Sequence, residues 1–259
     1  MIYIKVSILI LLIIVLIIVL TTICNKDIEM FTTTKQPSIP KVIYQTYIDK
    51  SKIPPKVYDN IKKFAPNYKH IIYDDDECIR FLRDNYPPNV LDAFNTLLKG
   101  AHKADLMRYC LLYKYGGIYL DIKTELLKPL DKIFVNNYLY SVIAKNKRSI
   151  YQGIIATPPA NPIFKVLIDH IIENKHITRD YLMFTREFYN QLNILCKKRV
   201  TTGFNKNKTS SINIYLYNEK CSKNIYDCYD GLDRYKLCCF VYHNKTKLIK
   251  TRYSDYPWH

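Results

Sequence analysis

The chain has 259 residues, enough for one mid-sized catalytic domain but short for two. Hydrophobic residues make up 48% of it, so a packed core is expected, and the formal net charge is +16. The lysines are scattered and no nucleic-acid-binding motif occurs, so we discount nucleic acid as a partner despite this charge. The abundance of Ile, Lys, Asn and Tyr, with only 6 Gly, is typical of a large DNA virus or an AT-rich protist.

An uncharged apolar run near the amino terminus, residues 6–23, predicts a transmembrane helix. As a helix it would cover about 27 Å, close to the hydrocarbon thickness of a bilayer. A cleaved signal peptide is the alternative, but this run is longer than the usual ~7–15-residue core and lacks a small-x-small cleavage site. The charges flanking the run favour a cytosolic amino terminus. We therefore predict a single-pass type II membrane protein whose domain faces the ER or Golgi lumen, or the corresponding side of a viral or host membrane.

Residues 24–38 are predicted to form a polar stem, and a single domain is predicted over residues 39–259. Turn residues and hydrophobic periodicity predict the elements of this domain in chain order. The predicted strands are 41–47, 68–73, 118–120, 212–217 and 237–243, and further apolar runs occur at 138–144 and 150–156. The predicted helices are 56–65, 78–86, one from Pro88, 101–115, one after Pro162, and 178–196. Residues 200–211 are predicted to be a polar loop. Such alternation of strands and helices predicts an α/β fold with a mostly parallel sheet.

The segment from Lys103 to Asp131, KADLMRYCLLYKYGGIYLDIKTELLKPLD, carries the clearest chemical signal. A helix ends at a Gly-Gly pair, a short apolar strand follows, and Asp121 stands at its carboxyl end. In open α/β sheets, ligands bind outside the carboxyl ends of the strands. Asp105 and Arg108 share one helix face, where a carboxylate can accept hydrogen bonds from sugar hydroxyls and a guanidinium can hold a phosphate. An ordinary intrahelical ion pair is the alternative interpretation.

This segment resembles the DXD-containing sugar-binding region of glycosyltransferase family 32, which includes mannosyltransferases. The family pattern is roughly K-A-D-x-x-R-Y-x-x-L-Y-x-x-G-G-x-Y-x-D-x-D. The positions that match it are Lys103, Ala104, Asp105, Arg108, Tyr109, Leu112, Tyr113, Gly116, Gly117, Tyr119 and Asp121. Weaker similarities are residues 39–46 (family I-P-K-x-I-H-Q-T, with Tyr44 at the histidine), Gln152–Ala156 followed by Asn161-Pro162, and His243 and Trp258 near the carboxyl end.

The resemblance implies a GT-A-like fold with a Rossmann-type mixed sheet flanked by helices. It also implies transfer of a hexose, mannose in the relatives, from a nucleotide-sugar donor to a glycan or glycolipid acceptor, with retention of configuration. By this resemblance Asp121 and Arg108 are the predicted catalytic residues. The predicted donor-binding residues are Gln45, Thr46, Asp105, Arg108, Tyr119 and Lys123.

Family members use a divalent ion, usually manganese, to stabilise the negative charge on the leaving diphosphate. Here Lys123 stands where the second aspartate of the DXD motif is expected. Either the Lys123 ammonium replaces the ion, or Asp121 still holds one with Glu125 or His243. We predict a retained ion with Asp121 and His243 as ligands, because a carboxylate remains at Asp121. The alternative function is a catalytically inactive relative that binds a nucleotide sugar.

Four cysteines, Cys221, Cys228, Cys238 and Cys239, lie close together near the carboxyl end. No Cys-x-x-Cys pair occurs, which argues against a structural zinc site and leaves disulfides in an oxidising lumen as the prediction. Two N-glycosylation triplets, beginning at Asn207 and Asn244, are compatible with that compartment.

Overall fold

The computed structural model describes residues 14–21, 37–177, 179–222, 238–253 and 256. The chain divides into two compact units, Met1–Gln36 and Pro37–His259. In the first unit, residues 14–21 form a helix, α1. Within the described ranges, no helix has both the length and the apolar character that a membrane span requires. The rest of the predicted anchor (6–13 and 22–23) and the predicted stem up to residue 36 lie outside the described residues.

The second unit is a mixed α/β domain built on a ten-stranded sheet with the order β2-β1-β3-β6-β5-β8-β9-β10-β4, in which β7 pairs with β8. Its helices are α2 (Pro55–Phe64), α3 (Asp75–Asn85), α4 (Pro88–Thr96), α5 (Gly100–Tyr115), α6 (Pro162–Asn174) and α7 (Met183–Cys196). Its strands are β1 (Val42–Thr46), β2 (Lys69–Tyr73), β3 (Gly117–Leu120), β4 (Glu125–Leu126), β5 (Leu139–Ile143), β6 (Ile150–Thr157), β7 (Gly203–Asn205), β8 (Ile214–Ser222), β9 (Cys238–His243) and β10 (Thr246–Lys250).

The sheet is mixed, so the prediction of a mostly parallel sheet was wrong. Strands β1, β2 and β3 run parallel, as do β5 and β8, but β6 runs antiparallel between β3 and β5. Strands β8, β9 and β10 are also joined antiparallel. The reason is the short β5–β6 and β9–β10 connections, since a tight turn can only bring a strand back antiparallel to its predecessor. The mixed sheet implied by the family resemblance is confirmed.

Local signals explain most of the helix boundaries. Helix α3 begins with a capping box: the Asp74 carboxylate accepts the Glu77 backbone N–H at 2.9 Å, and the Glu77 carboxylate accepts the Asp74 N–H at 3.0 Å. Helices α2, α4 and α6 each have a proline in their first turn, where no backbone donor is lost to the helix. Helix α7 begins at Met183, five residues later than predicted, and β7 lies within the predicted polar loop.

Helix α5 is the central helix of the domain, and every residue from Asp105 to Leu112 is buried. It ends at Gly116, whose φ is 63°, and Gly117 follows with a φ of 96°. A Cβ at Gly116 would lie 2.5 Å from the Pro159 nitrogen, so both the backbone conformation and the packing require glycine there. This turn leads directly from α5 into β3.

Strand β3 lies between β1 and β6, and its four residues are all buried. Its side chains alternate between two cores: Tyr119 faces the core that contains α5, whereas Ile118 and Leu120 face the core on the other side of the sheet. Because β1, β3, β5 and β8 run in the same direction, their carboxyl ends lie at one edge of the sheet. The amino-terminal end of β6 lies at that edge too.

Candidate functional site

A cavity of about 750 Å³ lies at this edge of the sheet. Its walls come mainly from the residue that ends β1, the turn after β3, the β5–β6 turn, the start of β6, one residue of β8 and the first half of α5. Helices α3 and α4 and the region where α7 begins supply further lining residues. The polar and aromatic side chains that line it include Thr46, Asp75, Asp105, Arg108, Tyr119, Asp121, Lys123, Lys145, Asn146, Tyr151, Gln152, Tyr181, Glu219 and Tyr256. The cavity therefore occupies the position where α/β sheets usually bind ligands.

A cluster of four charged residues forms one wall of the cavity. The Arg108 guanidinium lies between two carboxylates, with its Nη2 3.4 Å from Asp105 Oδ1 and 3.2 Å from Asp121 Oδ1. The other oxygen of Asp121, Oδ2, lies 3.4 Å from Lys123 Nζ. The Arg108 guanidinium also stacks over the ring of Tyr119, 4.5 Å from its centroid. We call Asp105, Arg108, Asp121 and Lys123 the charge cluster.

The two carboxyl groups of the charge cluster have different protonation behaviour. Burial raises the pKa of Asp105 to about 7, and the nearby Arg108 only partly opposes this effect. Burial acts on Asp121 in the same direction, but Arg108 and Lys123 outweigh it and hold the pKa of Asp121 below its ordinary value. Asp121 is therefore ionised at neutral pH, whereas burial moves the pKa of Asp105 toward neutral pH.

The turn that presents Asp121 is fixed by backbone hydrogen bonds and by a glycine. The Asp121 N–H donates to the Gly153 carbonyl at 2.8 Å, and the Thr124 N–H donates to the Asp121 carbonyl at 2.9 Å. A Cβ added at Gly153 would lie 2.6 Å from Asp121 Oδ2 and 2.4 Å from the Tyr151 hydroxyl oxygen. A side chain at position 153 would therefore require the Asp121 carboxylate and the Tyr151 ring to move from their places.

The predicted residues on β1 take different positions. Thr46 lines the cavity, and its hydroxyl is 2.9 Å from the Tyr119 hydroxyl. Gln45 is fully buried and does not line the cavity: its Nε2 donates to the Asp121 carbonyl at 3.2 Å, and its Oε1 is 2.6 Å from His70 Nε2. Burial lowers the pKa of His70 to about 4, so the ring is neutral and donates to Gln45. Gln45 is placed to hold the Asp121 backbone, not to touch a ligand.

The structure does not bring His243 to the charge cluster. His243 is exposed at the end of β9, and its Nε2 is 3.0 Å from the Tyr215 hydroxyl, outside the lining of the cavity. Glu125 does not line the cavity either, and its Oε2 lies 3.9 Å from Lys250 Nζ. The structure does not bring Asp121 and His243 together, because the antiparallel pairing of β9 with β8 places the carboxyl end of β9 at the opposite edge of the sheet.

The donor set around Asp121 does not fit a divalent ion. Both carboxylate oxygens already face cationic side chains, and no second carboxylate stands in the DXD position. Among the described residues, the one group of three side chains with suitable ligand atoms in mutual reach is Glu219, Cys221 and Cys239. Cys221 and Cys239 are joined in a disulfide, which removes their thiolates as ligands. A manganese site is therefore not supported by these residues.

Two polar residues of the cavity were not predicted as site residues. Gln152 is 2% exposed, and its Oε1 accepts a hydrogen bond from the Tyr109 hydroxyl at 2.5 Å. Its buried Nε2 has no partner among the described residues, so it is a donor available to a ligand in the cavity. Glu219 on β8 accepts the Lys145 backbone N–H at 2.9 Å, and burial raises its pKa. No local sequence signal marks either residue, since each reaches the cavity only through the pairing of its strand with β5.

Comparison with known proteins identifies the segment that contains the charge cluster. Residues 55–140 match the family described as "Glycosyltransferase sugar-binding region containing DXD motif". An uncharacterized glycosyltransferase of Acanthamoeba polyphaga mimivirus is 28% identical over 231 residues, which cover 80% of this chain and 89% of the relative. The family resemblance stated from the motif is thereby confirmed, and a viral relative agrees with the expectation drawn from composition.

Fungal mannosyltransferases are similar over a shorter stretch. The initiation-specific alpha-1,6-mannosyltransferase of Candida albicans is 34% identical over 127 residues, covering 46% of this chain and 33% of the relative. The inositol phosphoceramide mannosyltransferase 2 of Schizosaccharomyces pombe is 28% identical over 143 residues, covering 54% of this chain and 40% of the relative. This chain thus spans well under half the length of these fungal relatives. Among solved structures, PaToxG Glycosyltransferase aligns with a TM-score of 0.46 and 19% identity, over 68% of this chain and 79% of that one.

Proposed function

We propose that this chain, which carries a glycosyltransferase domain with a DXD-type sugar-binding region, transfers a hexose from a nucleotide-sugar donor to a glycan or glycolipid acceptor. The observation that carries the proposal is the charge cluster in the wall of the cavity. Buried cations suit a diphosphate, and carboxylates suit sugar hydroxyls. A volume of about 750 Å³ suits a ligand of nucleotide-sugar size.

In the proposed reaction, the bond between the anomeric carbon and the diphosphate oxygen breaks, and a bond forms between that carbon and the hydroxyl oxygen of the acceptor. Negative charge develops on the leaving diphosphate, and the proton of the acceptor hydroxyl passes to the diphosphate or to solvent. Arg108 is positioned to stabilise this charge from within the wall of the cavity. Asp121 holds the Arg108 and Lys123 cations in place, and Asp105 or Gln152 can bind hydroxyl groups of the sugar. Thr46 and Tyr119 form the adjoining wall on the β1 side.

The finer parts of the proposal come from the relatives. Mannose is the proposed sugar because the fungal relatives are mannosyltransferases, one of them an inositol phosphoceramide mannosyltransferase. Retention of configuration and a GT-A-like arrangement are proposed from the family resemblance of the motif. A glycan or a glycolipid remains the proposed acceptor on the same basis.

We also propose a type II membrane anchor at residues 6–23, with the domain in an oxidising lumen. The uncharged apolar run of the sequence supports the anchor. The disulfide between Cys221 and Cys239 supports the compartment, since disulfides persist in oxidising environments.

The test is a screen of the purified full-length chain in detergent against UDP- and GDP-linked sugars, with and without manganese. We expect hydrolysis or transfer with at least one donor, and loss of turnover in Asp121→Asn. Donor binding without hydrolysis or transfer to any acceptor in the panel would instead favour the inactive, nucleotide-sugar-binding relative. The absence of donor binding under every condition would contradict the proposed function.

A further inference from the structure

We infer that Lys123 occupies the place of the divalent cation and binds the donor diphosphate directly, so that donor binding needs no metal ion. This inference rests on the proposed function and specifies how its site works. It concerns the residue at which the chain departs from its family's pattern, where the ordinary expectation is a second aspartate.

The backbone around Lys123 is held firmly while its ammonium group is directed to the cavity. The neighbouring side chains of Ile122 and Thr124 are 5% and 1% exposed, and the Lys123 carbonyl accepts the Tyr253 N–H at 2.8 Å. In contrast, the Lys123 side chain is 33% exposed, and it lines the cavity next to Asp121. Its position is therefore set by the fold, and its charged end remains accessible to a ligand.

The charge of the site is the same with lysine as with a metal-bound DXD motif. Two aspartates and a divalent ion sum to zero, and Asp121 with Lys123 also sums to zero. Exchanging the second aspartate for lysine raises the local charge by two units, which is the charge that the ion would otherwise supply. A diphosphate would thus meet the same net potential, carried by a covalently attached cation.

The geometry also leaves little opportunity for an ion beside this lysine. Each oxygen of Asp121 already faces a cation, Arg108 on one side and Lys123 on the other. A divalent ion would have to displace one of these groups and then find further oxygen ligands nearby. Glu125 lies outside the cavity lining, 3.9 Å from Lys250 Nζ. Two other carboxyl groups that line the cavity already have partners, since Asp105 faces Arg108 and Glu219 accepts the Lys145 backbone N–H.

The decisive experiment measures binding of GDP and UDP to the full-length protein by calorimetry, after EDTA treatment and again with added manganese. We expect the better nucleotide to bind with a Kd that changes by no more than about twofold between the two conditions. Lys123→Ala should weaken binding by about 10- to 100-fold, because a charge-assisted contact is lost. Lys123→Arg should retain binding. Lys128→Ala, at an exposed position outside the cavity, is the matched control.

A reciprocal variant tests the inference by gain of metal dependence. Lys123→Asp rebuilds the DXD pattern, so we expect manganese binding, read by electron paramagnetic resonance, and nucleotide binding that now requires the ion. Wild-type nucleotide binding that requires manganese would overturn the inference but leave the proposed function intact. So would unchanged nucleotide binding in Lys123→Ala. If neither nucleotide nor any nucleotide sugar binds with or without manganese, the proposed function fails together with the inference.

Discussion

Replacing Arg108 with alanine should destabilise the domain strongly, because it removes the cation between two buried carboxyl groups. The side chains of Arg108 and Asp105 are only 5% and 9% exposed, and that of Asp121 is 17% exposed. Breaking a buried pair by removing one partner costs about 3–5 kcal/mol. A domain of this size loses about 2–4 °C in Tm for each kcal/mol. The expected decrease in Tm is therefore about 6–20 °C.

The assay is thermal unfolding followed by circular dichroism at neutral pH. Arg83→Ala, on the exposed end of α3, is the control and should change Tm very little. Combining Arg108→Ala with Asp121→Asn should recover part of the loss, since the amide leaves no unpaired charge at that position. A Tm for Arg108→Ala within about 2 °C of the wild-type value would refute the claim that Arg108 stabilises the buried carboxyl groups of Asp105 and Asp121.

Changes at Gly153, at Asp105 and at the two N-glycosylation triplets test other features of the domain. Gly153→Ala should displace the Asp121 carboxylate and reduce donor turnover by at least about tenfold, while a melting curve shows that the fold is retained. Normal turnover in this variant would show that the added methyl group does not disturb Asp121. The pKa of Asp105 is about 7 in the folded protein and 3.8 for an ordinary Asp side chain, so its contribution to stability is full below about pH 4 and is lost as the pH rises through 7. Urea unfolding at about pH 5 and about pH 8 should therefore show a lower free energy of unfolding at the higher pH, and Asp105→Asn should reduce this difference. If the domain is lumenal, Asn244 in its exposed turn should carry a glycan, and Asn244→Gln should shift the gel mobility. Asn207 is 6% exposed and its Nδ2 donates to the Ile212 carbonyl, so it should carry no glycan and Asn207→Gln should leave the mobility unchanged.

The helices were predictable because their signals are local. Proline at the first turn, the acidic start of α3 and the Gly-Gly end of α5 each act within a few residues. The sheet was less predictable, since β4 has two residues and β7 three, too few for a periodic pattern. The antiparallel course of β6 follows from the short connection after β5, a signal that the alternation of strands and helices does not take into account.

The residues of the candidate site also differ in how well the sequence predicts them. Asp105, Arg108, Asp121 and Lys123 fall within one short motif, so sequence alone places them together. Glu219 comes from a strand about a hundred residues further on, and only the pairing of β8 with β5 brings it to the cavity. Gln45 was predicted to bind the donor, but its two hydrogen bonds within the protein, which sequence cannot show, place it behind the wall.

The charge cluster is better explained by ligand binding than by stability. The attraction between buried charges is largely offset by the cost of removing them from water, so apolar residues of similar size would stabilise the domain equally well. Burial also raises the pKa of Asp105 to about 7, and pKa values perturbed in this way are typical of functional sites. The charge cluster lies in the wall of a cavity at the carboxyl edge of the sheet. Gln152 lines the same cavity, and its Nε2 has no hydrogen-bond partner among the described residues. A polar, anionic ligand would satisfy both the amide and the accessible cation of Lys123, and a nucleotide sugar has the phosphates and hydroxyls to do so.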